Sequence, residues 1–284
     1  MDLKLNNKVA LVLASSKGLG KAIATTLAQE GATVVIASRS AEELNKTADE
    51  ISRETGSSVI AIAANVSSTA DTENLINKVA AQFGLIDILI NNAGGPPFAA
   101  FEQFDDEQWQ KAFELNLLSF ARLSRLALPH MKKTGSGRII NIISGSVKSV
   151  LANSVLSTSM RMGVVGMAKM MADELGPYNI TVNNVAPGLI LTDRIKHTLP
   201  ADVDPDEAMK ERATSIPLRA LGNRTNWLHW WPSWCRSRDH IFRAQPYRLM
   251  VGQAAVFINR RPIVACGNLC ASLCTPAAPV RRIC

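Results

Sequence analysis

The sequence predicts an α/β protein, a parallel β-sheet covered by helices on both faces, and three observations carry this. Short apolar runs recur from Val9 to Ala186, stretches with apolar residues at helical spacing separate them, and Gly, Ser and Asn close several of the runs. Strands spaced by helices imply right-handed βαβ crossovers, hence parallel pairing and a sheet buried on both sides.

Taken in order, Val9 to Ala14 is an apolar run closed by Ser15-Ser16-Lys17-Gly18-Leu19-Gly20, after which Ala22, Ile23, Leu27 and Ala28 recur at helical spacing. This is strand, turn and helix. Thr33 to Ala37 is the next strand, before a helix from near Ala41; Val59 to Ala64 follows, before a helix over about Thr69 to Phe83. Ile86 to Ile90 runs into Asn91-Asn92-Ala93-Gly94. Arg138 to Ile143 and Thr181 to Ala186 read as further buried strands, with long helical stretches around 105–131 and 151–175. The grammar stops after Gly222: Pro232 interrupts any helix, and the rings of Trp227, Trp230, Trp231 and Trp234 fit neither period.

With 284 residues, 47% hydrophobic and 19% charged, the chain suits one large α/β domain or two small ones. It contains no run of eighteen apolar residues, and its first residues lack the apolar region of a signal peptide, so a cytoplasmic protein without a membrane partner is expected. The net charge of +7 would point towards nucleic acid if it were spread over the fold, but it is not. Residues 223–284 hold nine arginines, no lysine and one acidic residue, Asp239, together with all five cysteines, whereas residues 1–222 are close to neutral. We therefore expect a domain over 1–222, a tail of different composition over 223–284, and no nucleic-acid partner. The spacing of Cys266, Cys270 and Cys274 lacks a Cys-x-x-Cys pair or matching histidines, so no metal site is expected.

A glycine-rich turn between the first strand and first helix lets the backbone approach a pyrophosphate, whose charge sits on the helix N-terminal amides. Ser15, Ser16, Lys17, Gly18, Leu19 and Gly20 occupy that place, although the third glycine of the full fingerprint is missing and a turn serving only tight packing is the alternative. The second strand ends at Ser38-Arg39. An acidic residue there would accept ribose hydroxyls, whereas Arg39, with Lys17 beside the same pocket, suits a 2′-phosphate. The residues thus favour NADP(H) over NAD(H), against the alternative that both cations are solvated surface charges.

In this order and spacing the chain resembles the short-chain dehydrogenase/reductase superfamily over about residues 5–222. The resemblance rests on the glycine turn, Asn65-Val66 after the third strand, Asn92-Ala93-Gly94 after the fourth, Asn116, Ser144 after the fifth, and Pro187-Gly188 after the sixth. It looks nearest to the 3-oxoacyl-carrier-protein reductase-like branch. The resemblance implies a doubly wound (Rossmann) sheet, cofactor contacts from all of these motifs, hydride transfer between a nicotinamide and a small carbonyl or alcohol, and a homo-oligomer. It also implies that the stretch from Thr192 to Pro205 is a substrate lid, with Gly94 to Phe98 as the opposite wall.

The family's catalytic set is Ser, Tyr, Lys and a helix-placed Asn. Ser144 and Asn116 match two members; thirteen residues after Ser144, where the tyrosine belongs, stands Ser157, and four further on Arg161 replaces the lysine. A serine hydroxyl is a far weaker acid than a phenol with a pKa near 10, and a guanidinium does not shuttle protons. Three readings follow. The chain is an NADP(H)-dependent oxidoreductase with atypical Ser157 and Arg161, a serine-dependent hydrolase of small esters on the same scaffold, or a non-catalytic NADP(H)-binding protein.

In the family a helix and a last strand would follow Gly222. Because Trp and Met have single codons, re-reading the tail one base out of frame forces Leu at Asn226/Trp227, Val at Trp230/Trp231 and Gly at Met250/Val251. With free choice of the other third bases it yields a helix-like and a strand-like segment. The tail thus reads as a frameshifted C-terminus, in which the last helix and edge strand are disrupted and the oligomer altered.

Overall fold

In the computed structural model, the described residues are 4–192, 204–214, 216, 220–222 and 249–252. The first six strands are β1 (Val9–Leu13), β2 (Thr33–Ser38), β3 (Val59–Ala63), β4 (Ile88–Asn91), β5 (Gly137–Ile142) and β6 (Ile180–Pro187). The helices are α1 (Gly18–Gln29), α2 (Ala41–Thr55), α3 (Thr69–Phe83), α4 (Asp106–Phe113), α5 (Ser119–Thr134), α6 (Val155–Leu175) and α7 (Pro205–Thr214). Local chemistry sets several ends. Ser40 and Ser68 cap α2 and α3 by accepting from the amides of Glu43 and Asp71, and Gly56 and Gly84 close both helices in the left-handed conformation.

All strand pairings are parallel, in the order β3-β2-β1-β4-β5-β6-β7, the last being Leu249–Gly252. This is the doubly wound arrangement expected from the sequence, and its strand order reverses between β1 and β4. Alternation along β1 sends Ala10 and Val12 to one face, where Ile23, Leu27, Leu44 and Ile51 of α1 and α2 cover them. Val9, Leu11 and Leu13 face the other way, onto Leu75 and Val79 of α3, Leu123 of α5 and Ala172 of α6.

Two expectations are revised. The long helical stretch around 105–131 is divided by a π-helical turn, Glu114–Leu118, between α4 and α5. At the edge expected to be disrupted, Leu249–Gly252 pairs with Asn184–Pro187 of β6, so a strand from the tail does extend the sheet. The helix expected from the family, the frame reading of residues 223–248 and 253–284, and most of the stretch read as a lid (193–203) lie outside the described residues.

Candidate active site

The site is built where the strands end. At the close of β1, Ala14 adopts φ +48, uncommon for a residue with a Cβ, and its carbonyl turns towards α1. A Cβ on Gly20 would stand 2.3 Å from that oxygen, so only glycine lets the first turn of α1 come this close. Gly18 takes φ +62, the left-handed conformation that glycine adopts without strain. Asn92, after β4, donates its amide to the same Ala14 carbonyl at 3.3 Å, joining the two strands at the point where the order reverses.

The residues of the turn have different tasks. Ser15 is fully buried: its hydroxyl donates to the carbonyl of Val12 at 2.7 Å and accepts the amide of Ala37 at 3.0 Å. It therefore ties β1 to β2, and its side chain is committed to the fold. The carbonyl of Ser16 accepts from Thr47 of α2 at 2.7 Å, and Leu19 packs on the core. Lys17 and Arg39 are exposed beside the turn, and the buried hydroxyl oxygen of Ser38 between them in sequence has no protein partner. A bare glycine turn, a helix N-terminus and two exposed cations fit a dinucleotide carrying an extra phosphate.

After β3, Asn65 accepts the amide of Ser67 while its own amide donates to Asp71. Val66 is buried, and Arg122 of α5, itself buried, reaches the carbonyls of Val66 and Ser67 at 3.4 Å each. Sequence reasoning missed Arg122 because nothing local marks it: the loop it braces lies 55 and 56 residues away.

Ser144 follows β5 and caps a short 3-10 turn, its hydroxyl oxygen accepting the amide of Ser146 at 3.2 Å and its proton remaining available to a further acceptor. Ser157 lies in the first turn of α6, with Arg161 one turn on and so on the same face. Arg161 is buried. Its guanidinium donates to the carbonyl of Ile142 at 2.8 Å and to that of Ala93 at 3.4 Å, and lies over the ring of Phe120. It thereby clasps the end of β5, just before Ser144, to the Asn92-Ala93-Gly94 loop. Asn116 occupies the π-helical turn one helical turn before Phe120; it is fully buried, and neither polar atom of its amide meets a protein partner. Gly145 lies against the Pro187 carbonyl, where a Cβ would stand at 3.2 Å, which brings Pro187-Gly188 to the same end of the sheet.

Residues 8–202 match the short chain dehydrogenase family. The chain belongs to that family. It is 33% identical over 221 residues to the 7alpha-hydroxysteroid dehydrogenase of Escherichia coli, a match covering 78% of this chain and 84% of that one. It is also 38% identical to a 3-oxoacyl-acyl-carrier-protein reductase of Vibrio cholerae, covering 78% and 86%. The solved structure of L-sorbose reductase from Gluconobacter frateurii, complexed with NADPH and L-sorbose, superposes with a TM-score of 0.83 at 27% identity, covering 90% of this chain and 98% of that one.

No tyrosine among the described residues stands at the strand ends beside Ser144. Tyr178 sits before β6, at the far end of the strands from Ser144, under the ammonium of Lys132. The hydrolase reading gains nothing either: His130, the one histidine among the described residues, lies near the C-terminal end of α5, also at the far end from Ser144. No helix among the described residues is long and apolar enough to cross a membrane.

Proposed function

We propose that the protein is an NADP(H)-dependent oxidoreductase that interconverts a small carbonyl compound and its secondary alcohol, working without the family's tyrosine. The observation that carries this is Arg161: through the carbonyls of Ile142 and Ala93 it draws the strand leading to Ser144 and the loop of Asn92 to Gly94 into one site. The NADPH held by the L-sorbose reductase neighbour supports the choice of cofactor.

Lys17 and Arg39 would take the 2′-phosphate, the amides of Gly18 to Gly20 the pyrophosphate, and the loops at Asn65-Val66, Asn92 to Gly94 and Pro187-Gly188 would enclose the remainder. When bound, the cofactor supplies a hydride to the carbonyl carbon. Ser144 and Ser157 orient the carbonyl oxygen by donating hydrogen bonds. Arg161 places a fixed positive charge beneath them, and in a buried site that charge favours the oxyanion more strongly than it would in water. The proton that completes the alcohol comes from solvent, through water that the unpartnered amide of Asn116 would hold by hydrogen bonds. Ser157 orients and does not ionise, because its acidity is far below that of the phenol it replaces. By family resemblance the active form is a homo-oligomer, which sedimentation would test.

The test is NADPH consumption over a panel of ketones and aldehydes, run beside p-nitrophenyl ester turnover. Ketone-dependent oxidation of NADPH is expected, with no ester cleavage. Tight NADPH binding without turnover would instead support the binding-only reading, which the missing tyrosine favours.

A further inference from the structure

Of the eight large apolar side chains that are exposed among the described residues, five stand on the loops leaving the C-terminal ends of β4, β5 and β6: Phe98, Phe101, Val150, Leu151 and Leu191. Single exposed apolar residues are ordinary on a protein surface, but their concentration on the loops at one end of the sheet is not, since such surface gains free energy when something covers it. Val150 is 100% exposed, and Phe98, Leu151 and Leu191 are 38–42% exposed.

These loops are held in place by backbone bonds. The amide of Ala99 donates to the carbonyl of Asn153 at 3.0 Å, and a bridge between Ala99 and Ser154 joins the loop after β4 to the start of α6, where Ser157 stands. On the β6 side, the amide of Leu191 donates to the carbonyl of Gly222 at 2.7 Å. Across residues 92–103, 143–154 and 188–192 only Glu102 and Lys148 are charged. A multiply charged acid needs several opposite charges to replace its hydration, and these segments supply only two charged side chains, of opposite sign.

Resting on the oxidoreductase reading above, we infer that the substrate is a neutral ketone, or the corresponding secondary alcohol, bearing a hydrocarbon body that extends from Ser144 and Ser157 across Phe98, Val150, Leu151 and Leu191. The reacting carbon is held at the strand ends, and the apolar body lies over the rim. Binding energy from that remote body then raises kcat/KM as well as affinity.

The test uses the full-length protein and a homologous series of methyl ketones from 2-butanone to 2-decanone, with dihydroxyacetone as the polar comparison. Wild type should gain about fourfold in kcat/KM with each added methylene until the rim is covered, the ~0.8 kcal/mol that burying one CH2 contributes. The double variant Val150→Ser/Leu191→Ser should retain its melting temperature, because both side chains are exposed, and should lose at least half of the gain per carbon on a logarithmic scale. A flat series, dihydroxyacetone used as well as 2-octanone, or a slope unchanged in the double variant overturns the inference. Calorimetric titration of the same ketones into the NADPH-saturated protein separates the two readings. Binding that strengthens with chain length in wild type but not in the variant, without turnover, supports the apolar site and removes the oxidoreductase reading. Turnover without chain-length dependence does the reverse.

Discussion

Ala14 concentrates the demands of the site in one residue: its carbonyl takes the Asn92 amide and leaves no room for a Cβ at Gly20. Gly20→Ala should therefore cost about 1–3 kcal/mol in stability and weaken NADPH binding together, since the oxygen in the way belongs to the backbone and moves only with β1. Thermal unfolding and cofactor titration of the same variant check both. In the proposed function Arg39 and Lys17 govern cofactor choice by charge alone. Two charge-assisted contacts of ~1.5 kcal/mol or more each imply at least about a hundredfold preference for NADPH over NADH, and Arg39→Ala should reduce it to about tenfold. Equal dissociation constants for the two cofactors in wild type, by calorimetry, would contradict this. Ser144→Ala should lower turnover far more than NADPH affinity, because in the proposed mechanism its hydroxyl donates to the reacting oxygen, while Ser157→Tyr should raise the rate by restoring an acidic hydroxyl. An unchanged rate in Ser144→Ala takes that serine out of the mechanism.

Between elements, polar links do what apolar packing leaves undefined. Asn91, Asn141 and Asn184 are in register on β4, β5 and β6, all fully buried. Asn91 donates to Asn141 at 2.9 Å and to Ser124 of α5 at 3.0 Å, and Asn141 donates to Asn184 at 2.9 Å. The ladder pins the three strand ends that carry Asn92, Ser144 and Pro187. Asn141→Leu would remove two buried amide hydrogen bonds, one made by Asn91 and one by Asn184, and at ~1–3 kcal/mol for each buried polar atom so deprived the urea midpoint should fall markedly, with the m-value unchanged. On the opposite edge, Lys21 of α1 pairs with Glu50 of α2, and this hydrogen bond and charge hold the Glu50 carboxyl below its usual range. A carboxylate whose pKa is lowered by folding contributes stability above its unfolded pKa and loses it as pH falls through the folded value. The urea midpoint of wild type should accordingly exceed that of Glu50→Gln at neutral pH, and the gap should close on acidification; a gap that persists in acid would mean that the pair acts through packing instead.

At the scale of the molecule, the sheet is completed by four residues from a tail whose composition differs from that of the body. Leu249–Gly252 covers the outer side of β6, which would otherwise present unpaired backbone groups of the kind that seed non-specific pairing. On the frame reading proposed from the sequence, rebuilding the tail in the shifted frame would supply a helix-like and a strand-like segment. That chain should melt at least about 2–4 °C higher, the shift that ~1 kcal/mol produces in a protein of this size, and should show a more uniform oligomeric state by sedimentation. An unchanged melting temperature would show that the present tail closes the sheet as well as its alternative. Sequencing the gene across the Gly222 codon addresses the origin of the tail directly.

What the sequence by itself determined were properties that depend on near neighbours: the order of strands and helices, the glycine turn, the motifs closing each strand, and the absence of a tyrosine thirteen residues after Ser144. Periodicity, capping and spacing along a helix act over a few residues, so they can be read without a fold. The tertiary structure alone decided which groups meet across the sheet. The bond from Arg161 to Ala93 spans 68 residues, that from Asn92 to Ala14 spans 78, and the asparagine ladder exists only because three strands pair in one register. It also decided that Ser15 serves the sheet, and that a π-helical turn lodges Asn116 in the interior. Those outcomes follow from burial and strand register, which many distant residues set together.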